Sequence, residues 1–196
     1  MAAAAANNNN NNRVLLGRGG FGEVWADTDH RGNRVARKYF NRLAELRKES
    51  KMSEYCYDAA RKIINKANTP DDVREAVGNR LRFVVTCIRH NDEEYFIDYP
   101  LAKKDLHAMI GTGCPEFGST KDLHYAIAGA MLGLQFLHDD ARVVHVDLKP
   151  ANLLLFEGGH IKIGDLGLAV RIPRSGDTLP QAKIGSIDYV APEVSV

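Results

Sequence analysis

Between Val14 and Ala26 the chain runs from a β-like apolar segment through a glycine cluster into a second β-like segment. That order constrains the fold more than any other feature. The cluster Gly17-Arg18-Gly19-Gly20-Phe21-Gly22-Glu23-Val24 reads G-x-G-x-x-G-x-V. Glycines let a backbone approach phosphate oxygens and offer N–H donors with no Cβ in the way. A hairpin turn without a ligand is the plain alternative, and a dinucleotide fingerprint is another. The fingerprint needs a helix after the loop, whereas Glu23-Val24-Trp25-Ala26 continues as strand. A strand–loop–strand unit lying over a nucleotide fits better.

Asp29-His30-Arg31-Gly32-Asn33 is a turn signal, and Arg34 to Phe40 is a third β-like run, so three short antiparallel strands are expected. Residues 41–67, rich in Leu, Ala, Glu, Lys and Arg, read as helix. Thr69-Pro70-Asp71-Asp72 breaks it and opens a short second helix. Leu81–Arg89 and Glu94–Tyr99 are expected as strands about the turn His90-Asn91-Asp92, with Pro100-Leu101-Ala102 connecting two lobes. Thr120 is the expected N-cap of a later helix, with Leu123, Ile127, Ala130, Leu134 and Leu137 at helical spacing. Leu153 to Phe156 and Ile161 to Ile163 form a hairpin about Glu157-Gly158-Gly159-His160.

The expected class is α+β and bilobal, with a β-rich lobe over 13–101 and a partial, helix-led lobe over 102–196. Residues 1–12, with Ala2–Ala6 followed by Asn7–Asn12, are expected to be a disordered tail, since such repeats bury too little apolar surface.

Composition excludes several function classes. The formal net charge is +1, which argues against nucleic-acid binding and against a polybasic membrane anchor. Cys56, Cys87 and Cys114 form no C-x-x-C or Cys/His cluster, so neither zinc nor a disulfide framework is expected. An intracellular, cytoplasmic or nuclear setting follows. The N-terminus lacks a signal peptide's basic start, and no run approaches the roughly 18 apolar residues of a membrane span.

Four further segments follow the glycine loop in order. Val35-Ala36-Arg37-Lys38 sets a lysine on the third strand, and Glu45, Glu49 and Glu54 compete to hold it from the helix. Glu54 is preferred, because its distance from Lys38 leaves room for the connection and the helix's first turns. Next come His145-Val146-Asp147-Leu148-Lys149-Pro150-Ala151-Asn152, then Gly164-Asp165-Leu166-Gly167, then Gly185-Ser186-Ile187-Asp188-Tyr189-Val190-Ala191-Pro192-Glu193. These resemble H-x-D-L-x-x-x-N, D-F-G with Leu for Phe, and the G-[ST]-x-x-Y-x-A-P-E close of an activation segment.

Five ordered motifs from Gly17 to Glu193 resemble the eukaryotic protein kinase superfamily. The resemblance implies Mg·ATP-dependent phosphoryl transfer to a protein hydroxyl, with Asp147 accepting the proton and Lys149 lying at the transferring phosphate. It implies that Gly17, Gly19, Gly20, Phe21, Gly22, Val24, Ala36, Lys38, Glu54 and Leu154 bind ATP, and that Asn152 and Asp165 bind Mg²⁺. His145 is expected to be a packed structural residue. Lys149-Pro150 and Gly185-Ser186 resemble serine/threonine kinases rather than tyrosine kinases, and an apolar residue within H-x-D beside D-L-G is reminiscent of the Wee family. Val146 stands where an arginine usually grips an activation-loop phosphate, so activity is expected to be largely independent of phosphorylation at Ser175 or Thr178. The chain ends at Val196, just past Glu193. The family continues in helices there, so a fragment is expected, with the apolar stripe of helix 120–138 partly uncovered. The other function class is a pseudokinase or incomplete kinase that binds nucleotide or a partner without turnover. Joint retention of Lys38, Asp147, Asn152 and Asp165 argues against it.

Overall fold

The computed structural model describes residues 13–173 and 185–190. The Asn tract, Ser175, Thr178 and Ala191-Pro192-Glu193 lie outside the described residues.

Strands β1 (Val14–Gly19), β2 (Gly22–Thr28) and β3 (Arg34–Phe40) form the expected antiparallel meander. The turn before β3 closes on Asp29, whose carboxylate accepts the N–H groups of Arg31 and Asn33, with Gly32 at φ 84°. Beyond β3 the sheet adds β5 (Phe96–Pro100) and then β4 (Arg89–Asn91), giving the order β1-β2-β3-β5-β4. Side chains alternate between the two faces of such a sheet. Arg37 leaves the face that carries Lys38 and forks onto Asp98 of β5 at 2.7 and 3.0 Å, with Arg89 joining at 2.8 Å. Asp98 is fully buried, so this bidentate pairing is what makes its charge tolerable there.

Helix α1 (Leu43–Ile64) buries Leu46, Glu49, Ser50, Ser53, Cys56 and Ala60, steps of three and four that define one face. Helix α2 (Asp71–Leu81) packs beside it, and Arg74 donates to the carbonyls of Ile64 at 2.7 Å and Thr69 at 2.9 Å. The bond to Ile64 satisfies a backbone acceptor that the end of α1 leaves open.

The region before β4 departs from expectation. Helix α2 runs to Leu81, β4 holds only Arg89–Asn91, and the turn moves to 92–95, where Tyr95 has φ 55°. The apolar run Phe83-Val84-Val85 is not sheet. It crosses beside the later hairpin, with Val85 N–H donating to Ile163 O at 2.7 Å and Ile163 N–H to Phe83 O at 2.8 Å. A short apolar run has no periodicity by which to tell these outcomes apart.

After β5, β6 (Lys104–Asp105) leads into α3 (Leu106–Gly111), capped by Asp105 accepting from the Ala108 N–H at 2.8 Å. Helix α4 (Thr120–Gln135) is capped by Ser119 rather than Thr120. It buries Ala126, Gly129, Ala130 and Gly133, while Ile127, part of the apolar stripe expected to be partly uncovered, is 44% exposed. The small face lets the helix lie close: a Cβ on Gly133 would stand 2.6 Å from Phe83 O, and one on Gly129 2.9 Å from Ile161 O. A π-turn at Phe136–Asp140 continues α4 into β7 (Val143–Val144), which pairs with β10 (Val170–Arg171). The expected hairpin is β8 (Leu153–Leu155) with β9 (Ile161–Ile163), and β6 is its third strand. Among the described residues no helix is long and apolar enough to cross a membrane.

Candidate active site

Residues paired across a ladder share a face, so Val24 and Ile97, opposite Lys38, lie on its side of the sheet, as does Ala36 two residues away. Lys38 Nζ lies 3.0 and 2.8 Å from the two oxygens of Glu49 and 3.0 Å from Asp165 Oδ1. Burial alone would lower the Lys38 pKa, but the two carboxylates outweigh it and hold the ammonium above its ordinary range. Burial likewise pushes Glu49 up, against the pull of Lys38.

The lysine's partner is therefore Glu49, not Glu54. Asn41 and Arg42 alone separate β3 from α1, so the helix reaches Lys38 about one turn earlier than expected. Glu54 is five residues further on, roughly 140° round the helix. It is exposed, lining a cavity of about 380 Å³ with Tyr57, Ile88 and His90. The residue one turn after Glu49 is Ser53, which is buried. The signal for Glu49 lay in the small-residue pattern Ser50, Ser53, Cys56, Ala60, a buried face that hydropathy does not mark.

The glycine loop is the β1–β2 turn, with Gly17 opposite Val24 and Gly19 opposite Gly22. Its glycines have two different causes. Gly22 sits at φ 147°, where a Cβ would strike the Tyr39 carbonyl, so the sheet itself requires it. A Cβ on Gly17, Gly19 or Gly20 would meet nothing within 4 Å. Internal packing does not require those three, and open space above a bare backbone suits a phosphate chain. Asn41 ties the loop to the end of β3, its backbone N–H donating to Phe21 O at 3.2 Å and its side chain to Gly20 O at 3.3 Å.

Asp147 is held on both oxygens. Lys149 Nζ meets Oδ2 at 2.8 Å and Ser186 N–H donates to Oδ1 at 2.7 Å. Lys149 also donates to the Ser186 hydroxyl at 2.7 Å. Burial would raise the Asp147 pKa, but Lys149 and Ser186 outweigh it and keep the carboxylate below its usual range. Asn152 donates to Asp147 O at 2.8 Å, which commits its nitrogen and leaves the amide oxygen as the end with acceptor capacity. Gly185 is required here, since a Cβ would strike the Val146 carbonyl. Ser186 had been singled out only as part of a motif, and its direct contact with Asp147 and Lys149 was not foreseen.

His145 is packed, as expected. Its Nε2 is 2.8 Å from the Gly164 carbonyl, which can only accept, so Nε2 carries the proton and Nδ1 accepts from Asp147 N–H at 3.3 Å. Burial lowers its pKa, in keeping with a neutral ring. The Gly164 bond fixes the backbone one residue before Asp165. Leu154 lies against Gly164, where a Cβ would come 2.8 Å from its Cδ1.

Asp165 has φ 58°, and Val146, beside Asp147, has φ 71°. For a β-branched residue that is an outlier, and such conformations cost about 1–2 kcal/mol each. Lys38 outweighs the effect of burial on Asp165 and lowers its pKa. The Asp165 side chain remains 37% exposed, which leaves room for a ligand. Leu166 fills the place of the usual Phe, buried in the cluster of Cys56, Phe136, Leu137 and Val143. Gly167 has no space for a side chain, since a Cβ would stand 2.8 Å from Glu49 Oε2.

The structure thus gathers Lys38, Glu49 and Asp165 in one cluster and Asp147, Lys149, Asn152 and Ser186 in another, bridged by the His145–Gly164 bond. Comparison with known proteins agrees with this geometry. The protein kinase domain model matches residues 11–195. The chain belongs to the protein kinase family. Among relatives of this kinase, G protein-coupled receptor kinase 2 of Drosophila melanogaster is 34% identical over 185 residues, covering 92% of this chain and 23% of that protein. G protein-coupled receptor kinase 4 of Rattus norvegicus is 33% identical, covering 92% and 29%. Beta-adrenergic receptor kinase 1 of Homo sapiens is 30% identical over 188 residues, covering 92% and 24%. The kinase spans about a quarter of the length of these curated relatives.

Proposed function

We propose that this kinase transfers the γ-phosphoryl group of ATP, as its magnesium complex, to a serine or threonine hydroxyl of a protein substrate. One observation carries the reading: the Asp147 carboxylate is gripped by Lys149 on one oxygen and by Ser186 on the other. An ionised, oriented carboxylate beside a cation suits the acceptance of a hydroxyl proton next to a transferring phosphate. The substrate oxygen forms its bond to the γ-phosphorus as the bond from phosphorus to the ADP oxygen breaks, and the hydroxyl proton passes to Asp147. Lys149 offsets charge on the phosphoryl oxygens. Lys38, kept cationic by Glu49, pairs with the α- and β-phosphates, and the bare backbone at Gly17, Gly19 and Gly20 covers them.

Asp165 and Asn152 offer hard oxygen donors, the donor set magnesium prefers. The ion, when bound, would neutralise charge on the phosphates. Lys149-Pro150 and the Lys149–Ser186 hydrogen bond support serine/threonine rather than tyrosine as acceptor. The reading sets this action in the cytoplasm or nucleus and assigns no nucleic-acid or membrane partner. The free Cys56, Cys87 and Cys114 and the net charge of +1 support that.

The test is label transfer from γ-labelled ATP to mixed serine, threonine and tyrosine peptides. Phosphoserine or phosphothreonine is expected, and Asp147→Asn should lower kcat about 10²–10⁴-fold with little change in Mg·ATP affinity. Phosphotyrosine alone, or wild-type turnover by Asp147→Asn, would contradict the reading.

A further inference from the structure

Lys38 is not the only group that holds Glu49. The Tyr99 hydroxyl, projecting from β5, donates to Glu49 Oε1 at 2.6 Å. One helical turn along α1, the buried Ser53 hydroxyl accepts the backbone N–H of Cys87 at 2.6 Å. Residues four apart lie one above the other on a helix, so both bonds fall on the same face of α1. Apart from Leu46 near its start, that face is otherwise built of small side chains, Ser50, Cys56 and Ala60, which offer less apolar contact than Leu or Ile would.

We infer that Tyr99 and Ser53 are positioning residues, which anchor α1 to β5 and to the segment before β4 so that Glu49 engages Lys38 before any nucleotide arrives. An ionised carboxylate only accepts hydrogen bonds and has about four lone-pair sites. Lys38 engages both oxygens of Glu49, and Tyr99 supplies a further donor from a different strand. Bonds to ionised groups are the stronger kind. Burial and the Glu49 charge keep the Tyr99 phenol protonated, hence a donor, throughout the working pH range. Without these anchors α1 could turn Glu49 away. Lys38 would then rest on Asp165 alone, the carboxylate assigned above to the metal. The consequence for nucleotide binding rests on the proposed function, whereas the anchoring does not.

The full chain and its Tyr99→Phe, Ser53→Ala and double variants should be compared by amide hydrogen exchange without ligand and by calorimetric titration with Mg·ATP. Each single variant is expected to speed exchange over residues 43–64 by about tenfold, and the double variant by more, with residues 120–135 unchanged. Tyr99→Phe should also weaken Mg·ATP binding by about tenfold. Unchanged exchange over 43–64 in both single variants would overturn the inference, and so would equal acceleration over 43–64 and 120–135, which marks general destabilisation. If α1 loosens as expected but the unaltered chain binds no Mg·ATP, the anchoring stands and the proposed function fails.

Discussion

Single residues decide this site by which face of an element they occupy. Lys38, Asp147, Asn152 and Asp165 were legible in the sequence because each sits in a short motif whose spacing is set by local backbone geometry. The glutamate was not, because its position depends on where α1 begins and which face turns inward, both tertiary facts. A two-residue connection and a stripe of Ser, Cys and Ala put Glu49 inward and Glu54 outward. The two residues should therefore behave differently when neutralised. Glu49→Gln removes the charge on the Lys38 ion pair, and a bond of that kind contributes about 1.5–3 kcal/mol, so Mg·ATP affinity should fall roughly 10–100-fold. Glu54→Gln, at an exposed position, should change stability by no more than about 0.5 kcal/mol and leave affinity unaltered. Calorimetric titration of the two variants side by side checks this. A larger loss in Glu54→Gln than in Glu49→Gln would reverse the assignment.

At the scale of elements, strands bounded by turn residues were the readable part. The β1–β3 meander and the β8–β9 hairpin follow directly from their glycine and Asp/Asn punctuation. Helix α4 was readable as a helix but not in its orientation. The apolar stripe through Ile127 was expected to be partly uncovered and is, but the face that packs is Ala126, Gly129, Ala130 and Gly133, whose small side chains let the helix approach Phe83 and Ile161 closely. Close approach is invisible until the partner segment is known, and that segment, Phe83 to Val85, was itself read as strand. Alanine at Gly133 should accordingly force its Cβ against the Phe83 carbonyl and cost about 1–3 kcal/mol through overpacking. Gly78→Ala, in α2 with nothing within 4 Å of the added carbon, should instead stabilise by about 0.4–1 kcal/mol. Denaturant unfolding of both variants tests the contrast. Equal effects would mean that α4 does not lie against Phe83 as described.

At the scale of the whole molecule, the site exists only because distant segments meet. Lys38 and Asp165 are 127 positions apart in sequence yet 3.0 Å apart in space, and Ser186 lies 39 positions from the Asp147 it contacts. The order of motifs along the chain conveyed this assembly in outline. The polar ties that complete it, Tyr99 to Glu49 and Ser186 to Asp147 and Lys149, belong to no spacing rule and became visible only in three dimensions. The central claim is that these segments together make a site for magnesium-bound ATP. Calorimetric titration of the folded chain with ATP, in the presence of Mg²⁺ and again with the ion chelated, tests it most directly. Saturable one-to-one binding is expected, tighter with Mg²⁺ and losing this magnesium dependence in Asp165→Asn. Folded protein that binds ATP equally well in both conditions, or not at all, would contradict it.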